Sequence, residues 1–262
     1  LQALSERQNE ILAVAKTIGR VGVDELANRF AVTPQTIRRD LNELCDRSLM
    51  MRVHGGAVVS SSIENLSYEA RRQIAAESKR AIGVAAAALA PDNCSLFINV
   101  GTTTEEVARA LANRKDLLVI TNNINVALTL YPHASIKVII AGGPVRRTDG
   151  AVVGNAAVDL IRQFRVDCAV IGSSAIDEDG TLLDFDPLEV NVSRAIIENA
   201  RRVVLVSDQT KVGRAAPVKI GHMDQIDTFV TDRLVSEKLR AVCAQSGVEV
   251  IEARPDMRGE PD

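Results

Sequence analysis

The segment Thr33-Pro34-Gln35-Thr36-Ile37-Arg38-Arg39-Asp40-Leu41-Asn42-Glu43-Leu44 carries its own helix start signal and fixes much of what the first part of this chain can become. Thr33 is a favourable N-cap, Pro34 has the preset φ of a first helical residue, and Ile37, Leu41 and Leu44 recur at helical spacing on one face. The other face is polar and reaching. Thr33, Gln35, Thr36, Arg38, Arg39 and Asn42 can bond base edges or phosphates, Arg being suited to guanine and Gln or Asn to adenine. Such a face predicts double-stranded DNA as a partner.

The flanking segments fit a helix-turn-helix. Ser5 and Gln8 have the spacing of a capping box, and Ile11, Leu12, Ala15 and Ile18 supply an apolar stripe. After residues 19–22, Val23 to Phe30 reads as a short second helix and Ala31-Val32 as the turn into Thr33. Beyond the third helix, Leu49 to His54 and Ala57 to Val59 read as two strands joined at Gly55-Gly56, a wing that places Arg52 and His54 near DNA backbone or minor groove. Residues 1–59 are thus expected to be a winged helix-turn-helix domain. Its cations at 7, 16, 20, 29, 38, 39, 47 and 52 are nearly cancelled by acids at 6, 10, 24, 25, 40, 43 and 46, so phosphate contacts must come from one local face.

A chain of 262 residues, 46% of them hydrophobic, leaves enough sequence for a second domain with its own core. With a net charge of −3, no apolar run long enough for a bilayer and no leader-like start, the expectation is a soluble, cytoplasmic protein with no membrane partner, at the nucleoid when bound to DNA. The cysteines at 45, 94, 168 and 243 have no metal spacing and read as thiols, with Cys94 and Cys168 in apolar strand-like runs. Residues 60–76 read as a linker entering a helix, 77–252 as the second domain and 253–262 as a disordered tail.

Within the second domain an Ala-rich helix to Leu89 precedes a strand at Ser95 to Val100. Further strand-like runs are Leu117 to Thr121, Lys137 to Ala141, Val166 to Ile171, Val203 to Ser207 and Thr228 to Thr231, mostly with helical patterns between them. Alternation of short apolar strands with helices predicts an α/β domain with a mostly parallel sheet, whose ligands bind at the carboxyl ends of the strands. The loops there are small and polar: Gly101-Thr102-Thr103, Asn122-Asn123, Gly142-Gly143 and Asp208 to Lys211. Free N–H groups and hydroxyls at a helix start suit an oxyanion, and Lys211 adds a cation. Each loop taken alone reads first as a routine cap or turn; their common edge points to a small anionic, hydroxylated ligand.

Thr36-Ile37-Arg38-Arg39-Asp40-Leu41, His54-Gly55-Gly56-Ala57, Gly101-Thr102-Thr103, Thr121-Asn122-Asn123, Ala141-Gly142-Gly143 and Asp208 to Lys211 together resemble DeoR-type bacterial transcriptional repressors, from about residue 5 to 252. Longer strings, Phe97 to Glu105, Thr121 to Ala127, Gln163 to Asp167 and Ala195 to Arg201, are most similar to members governing glycerol-3-phosphate regulons. The resemblance implies a winged helix-turn-helix joined to a sensor domain related in fold to sugar-phosphate isomerases. It also implies a homo-oligomer without cofactor or metal, released from operator DNA by a phosphorylated sugar or polyol such as glycerol 3-phosphate. By this resemblance Gly101, Thr102 and Thr103 would hold the phosphate, and Asn122, Asn123, Gly142 and Gly143 would line the pocket. Lys211 would pair with the phosphate or a hydroxyl, and Asp208 would orient Lys211 or accept a hydroxyl. The chain departs from the glycerol-3-phosphate pattern at Ala175, where a second Gly is usual, and at Pro187, where an aromatic is usual, so a ligand touching either loop could differ; Asn99 stands where many family members carry Asp, which would remove a charge near the phosphate.

Two other readings compete. An isomerase would need a base beside the reacting carbon, for which Asp177, Asp179, Asp184, Asp186 and Glu189 are available; a binding module without regulation would need only the pocket. The DNA-reading segment favours sensing over turnover.

Overall fold

The computed structural model describes residues 4–18, 20–46, 49–53, 55–59 and 65–253. Two compact units divide between Ile74 and Ala75.

In the first unit, α1 (Glu6–Ile18), α2 (Val23–Phe30) and α3 (Pro34–Asp46) surround a core that includes Ile11, Leu26, Ile37, Leu41 and Leu44. The capping box forms, with Ser5 N donating to Gln8 Oε1 at 3.0 Å and Gln8 N to Ser5 Oγ at 3.2 Å. Ala31, at φ 52°, makes the turn between α2 and α3. The wing is larger than its sequence suggests. Residues 20–22, which in the sequence read as connection, form β1 (Arg20–Gly22), which pairs antiparallel with β3 (Gly56–Val59); β2 (Met50–Val53) lies on the other side of β3. Gly56 is a strand residue, paired with Val53, so the turn is not the pair Gly55-Gly56; Gly55, at φ 74°, is its described residue. A helix, α4 (Tyr68–Gln73), capped by Ser67, occupies part of the expected linker.

The second unit is built on seven parallel strands. They are β4 (Ser95–Ile98), β5 (Leu117–Thr121), β6 (Ile136–Ile140), β7 (Cys168–Ile171), β10 (Val203–Val206), β12 (Thr228–Thr231) and β13 (Glu249–Glu252), in the order β13-β12-β10-β7-β4-β5-β6. All are parallel, as alternation with helices requires. One apolar cluster contains Ile82 and Ala86 of α5 (Ala76–Ala88), Val107 of α6 (Thr102–Leu111) and Val126 of α7 (Ile124–Leu130). A second contains Ile161 of α8 (Asn155–Ile161), Ile196 of α9 (Pro187–Glu198) and Leu239 of α10 (Glu237–Gln245). β13 and a small antiparallel sheet of β8 (Ala175–Ile176), β9 (Thr181–Asp184) and β11 (Val218–His222) are additions to the expected elements.

From β4 the chain steps outward to β5 and β6, then returns to the other side of β4 as β7 and proceeds to β10, β12 and β13. The topological switch point is therefore between β4 and β7, where carboxyl-end loops diverge and leave a crevice. Cys94, Cys168 and Cys243 are buried free thiols. Burial pushes Cys168 up to about 11. No described helix is long and apolar enough to cross a membrane.

Candidate functional site: a DNA-reading face and a polar strand edge

On α3, Thr33 caps the helix as expected, accepting from Thr36 N at 3.3 Å, while the two hydroxyls lie 2.9 Å apart. Gln35, Arg38, Arg39 and Asn42 are exposed, and Ile37, Leu41 and Leu44 are buried. Asp40 faces inward: Arg7 Nε lies 2.5 Å from its Oδ2, tying α1 to α3. Arg39 pairs with Glu43 at 3.5 Å, both partly or wholly exposed. Arg52 of β2 donates to Arg38 O at 3.0 Å and to Asn42 Oδ1, so the wing is fastened to the exposed face of α3. His54 lies outside the described residues. Arg38→Ala is expected to weaken operator binding by about 1–3 kcal/mol at fixed salt, measured by fluorescence anisotropy on a duplex operator. A change below twofold would remove Arg38 from the interface.

In the second unit, the row of strand ends β10, β7, β4 and β5 gathers the candidate ligand groups. After β4, Gly101 sits at φ 150° and caps α6, leaving the N–H groups of Thr102, Thr103 and Thr104 without helical acceptors. Thr104 Oγ1 folds back onto Asn99 O at 2.7 Å and Gly101 O at 2.8 Å, fixing the loop. Thr102 and Thr103 are buried. Asn99 is a loop-holding residue: its amide donates to Ser193 Oγ at 2.8 Å, and its oxygen accepts from Val100 N at 2.8 Å. Asn99 is thus a neutral brace within this loop.

After β5, Asn122 Nδ2 donates to Val152 O at 3.2 Å, but its Oδ1 is buried without a hydrogen-bond partner among the described residues. Ser173 Oγ after β7, and Ser207 Oγ and Asp208 Oδ2 after β10, are in the same condition. Four such oxygens on adjacent strand ends are costly unless something completes them. Asp208 Oδ1 accepts from Thr210 N at 3.0 Å, and Lys211 is buried in the same turn. Asn123 is occupied differently: it caps α7 through Asn125 N at 2.9 Å and donates to Glu105 Oε1 at 3.2 Å. Gly142 and Gly143 follow the edge strand β6 and are exposed, one strand outside the row.

Two groups carry no local sequence signal that singles them out. Lys79 on α5 is buried, with Nζ 4.0 Å from Asp208 Oδ2; its only trace is a cation in the stripe Lys79, Ile82, Gly83, Ala86, Ala87. Arg146 binds Asp149 at 2.7 Å, Asp186 at 2.6 Å and Glu189 at 2.5 Å. Burial alone would lower the Arg146 pKa, but the bonds to Asp149 and Glu189 prevail and raise it above the ordinary arginine value. Asp186 also caps α9 at Leu188 N, 2.9 Å away, with Pro187 at the first turn. Of the carboxylates available to an isomerase, Asp186 and Glu189 are therefore held in ion pairs, and Asp179 is exposed in a turn.

A winged helix-turn-helix joined to a parallel α/β unit with an incompletely partnered polar edge defines a DNA-binding regulator with a small-molecule sensor. Residues 7–63 match the DeoR-like helix-turn-helix domain and residues 74–233 the DeoR C terminal sensor domain. The chain belongs to the DeoR family of transcriptional repressors. It is 46% identical over 228 residues to the glycerol-3-phosphate regulon repressor of Escherichia coli (strain K12), covering 87% of this chain and 90% of that protein. Its identity to the protein of that name in Haemophilus influenzae is 43%, over 87% of this chain and 89% of the relative. The HTH-type transcriptional repressor CsqR of Escherichia coli (strain K12) is 38% identical, over 95% and 96%. Among solved structures, a ribose 5-phosphate isomerase from Methanocaldococcus jannaschii matches at TM-score 0.40 and 16% identity, over 53% of this chain and 55% of that one.

Proposed function

We propose that this chain represses genes of glycerol-3-phosphate metabolism and leaves its operator when glycerol 3-phosphate, a small phosphorylated polyol, occupies the strand edge between β5 and β10. The observation that carries this reading is the set of buried oxygens without hydrogen-bond partners among the described residues, Asn122 Oδ1, Ser173 Oγ, Ser207 Oγ and Asp208 Oδ2, beside the start of α6. A carboxylate and an amide oxygen accept hydrogen bonds from polyol hydroxyls. The open N–H groups of α6, the Thr102 and Thr103 hydroxyls and the Lys211 ammonium suit a phosphate. The names of the two most identical relatives above support glycerol 3-phosphate over other phosphorylated polyols.

Release requires no chemistry, only tighter effector binding to the arrangement that holds DNA poorly; about 1–3 kcal/mol of coupling changes operator affinity 5- to 150-fold. The reading includes a homo-oligomer, whose paired recognition helices meet half-sites about 34–36 Å apart on adjacent turns. Operator anisotropy at fixed salt, titrated with glycerol 3-phosphate, glycerol, inorganic phosphate and several sugar phosphates, tests it. Glycerol 3-phosphate alone should release the DNA, and Lys211→Ala should raise the concentration required at least tenfold. Release by a sugar phosphate instead reassigns the regulon, and release by none overturns the sensor reading.

A further inference from the structure

We propose that Lys79 is a phosphate-holding residue of the effector site, exchanging Asp208 for the ligand's phosphate when the effector enters; this rests on the phosphorylated-effector reading above. Lys79 is buried on the first turn of α5, and its Nζ stands 4.0 Å from the Asp208 Oδ2, which has no hydrogen-bond partner among the described residues. That separation is an ion pair but is too long for a hydrogen bond. A buried carboxylate and ammonium repay their desolvation only when donors and acceptors complete both groups, and Asp208 Oδ2 is not completed.

The fold brings this ammonium to the phosphate-binding start of α6. α5 leads into the amino end of β4 and α6 leaves its carboxyl end, so both helices run antiparallel to β4 and begin at the same edge. They touch closely at Gly83, where an added Cβ would come within 2.7 Å of the Glu106 carbonyl carbon. Lys79 lies four residues before Gly83 and Thr102 four before Glu106. Each is therefore about 6 Å up its own helix from the contact, at the same height. A phosphate on the N–H groups of Thr102 and Thr103 thus meets a second cation from the neighbouring helix. Asp208, relieved of the lysine, is left to accept a ligand hydroxyl. Lys79 N also donates to Ala75 O at 2.9 Å, so the residue that reads the phosphate is bonded to the residue at which the two units divide.

The test uses inorganic phosphate, which has no polyol chain to engage Asp208, titrated calorimetrically into the full-length wild type, Asp208→Asn and the double variant Lys79→Met/Asp208→Asn. Removing the competing carboxylate should tighten phosphate binding at least threefold. Removing Lys79 as well should weaken it at least tenfold relative to Asp208→Asn. Equal affinity in the single and double variants would show that Lys79 only balances a buried charge, and would overturn the proposal, as would no phosphate binding by any of the three. If Asp208→Asn alone does not fold, the charge-free double variant is compared with wild type, and an undiminished phosphate affinity is the overturning result. Glycerol 3-phosphate is titrated alongside. A wild type that binds phosphate through Lys79 but ignores glycerol 3-phosphate overturns the named effector and supports the role of Lys79, so the two failures are distinct.

Discussion

Gly56→Ala should abolish saturable operator binding while leaving the second unit folded. A Cβ at residue 56 would stand 1.9 Å from the Val21 carbonyl oxygen and 2.9 Å from its carbon, both backbone atoms of β1. No rotamer change relieves a clash with backbone; β1 and β3 must separate, and the Gly22–Gly56 and Val21–Ala57 pairings are lost with them. Val21 and Ala57 are core residues of the first unit, packed with Ile11, Leu26 and Ile37, so the separation opens that core. A unit this small has little stability in reserve. The wing also holds Arg52 against Arg38 O and Asn42, so the exposed face of α3 loses a brace. Anisotropy on an operator duplex reads the loss. Calorimetric melting should show the first unit's transition weakened or gone and the second displaced by no more than a few degrees. Wild-type operator affinity in this variant would mean that the three-stranded wing is dispensable for binding.

What could be read from the sequence was local in the chain. The Thr33 cap and the Ser5–Gln8 box each close within three residues, and the strands at 117–121 and 228–231 show as short apolar runs between breakers. What was missed depends on partners far along the chain. β1 is three residues long and exists because β3 pairs with it. Of the hairpin dipeptide read at Gly55-Gly56, Gly56 lies in β3 and is glycine for a different reason, the approach of β1. Arg146 finds Asp186 and Glu189 at separations of 40 and 43 residues, and nothing near position 146 announces them. Among the candidate ligand groups, Gly101, Thr102, Thr103, Asn122, Asp208 and Lys211 fall on one row of strand ends. Asn123 is a cap with a second bond to Glu105, a role that the same turn signal predicts equally well.

Arg146→Met should destabilise the second unit by about 3–5 kcal/mol at neutral pH, the cost typical of removing one partner from a buried ionic cluster. Asp149, Asp186 and Glu189 all contact this single guanidinium, and the side chains of Asp149 and Glu189 are 2% and 12% exposed. Without it, the three carboxylates are left in one partly buried space with no cation between them. The cluster joins the loop after β6 to the start of α9, and Asp149 O accepts from Asn125 Nδ2 at 3.0 Å, so the damage extends to α7. For a unit of this size each kcal/mol lowers the melting temperature by about 2–4 °C, giving a fall of roughly 6–20 °C. The pH dependence has a definite sign. In the variant the folded state holds repelling carboxylates that gain by taking up protons, so folded pKa values exceed unfolded ones and the stability deficit shrinks as pH falls toward 5. In the wild type Arg146 stays charged throughout that interval and neutralises these acids, so its cluster has no such repulsion to relieve as pH falls. Melting both proteins between pH 5 and 8 measures the difference: the gap should be widest at the alkaline end. A gap that is constant with pH would mean that Arg146 contributes through packing and neutral hydrogen bonds alone, and that the three carboxylates do not repel one another once it is gone.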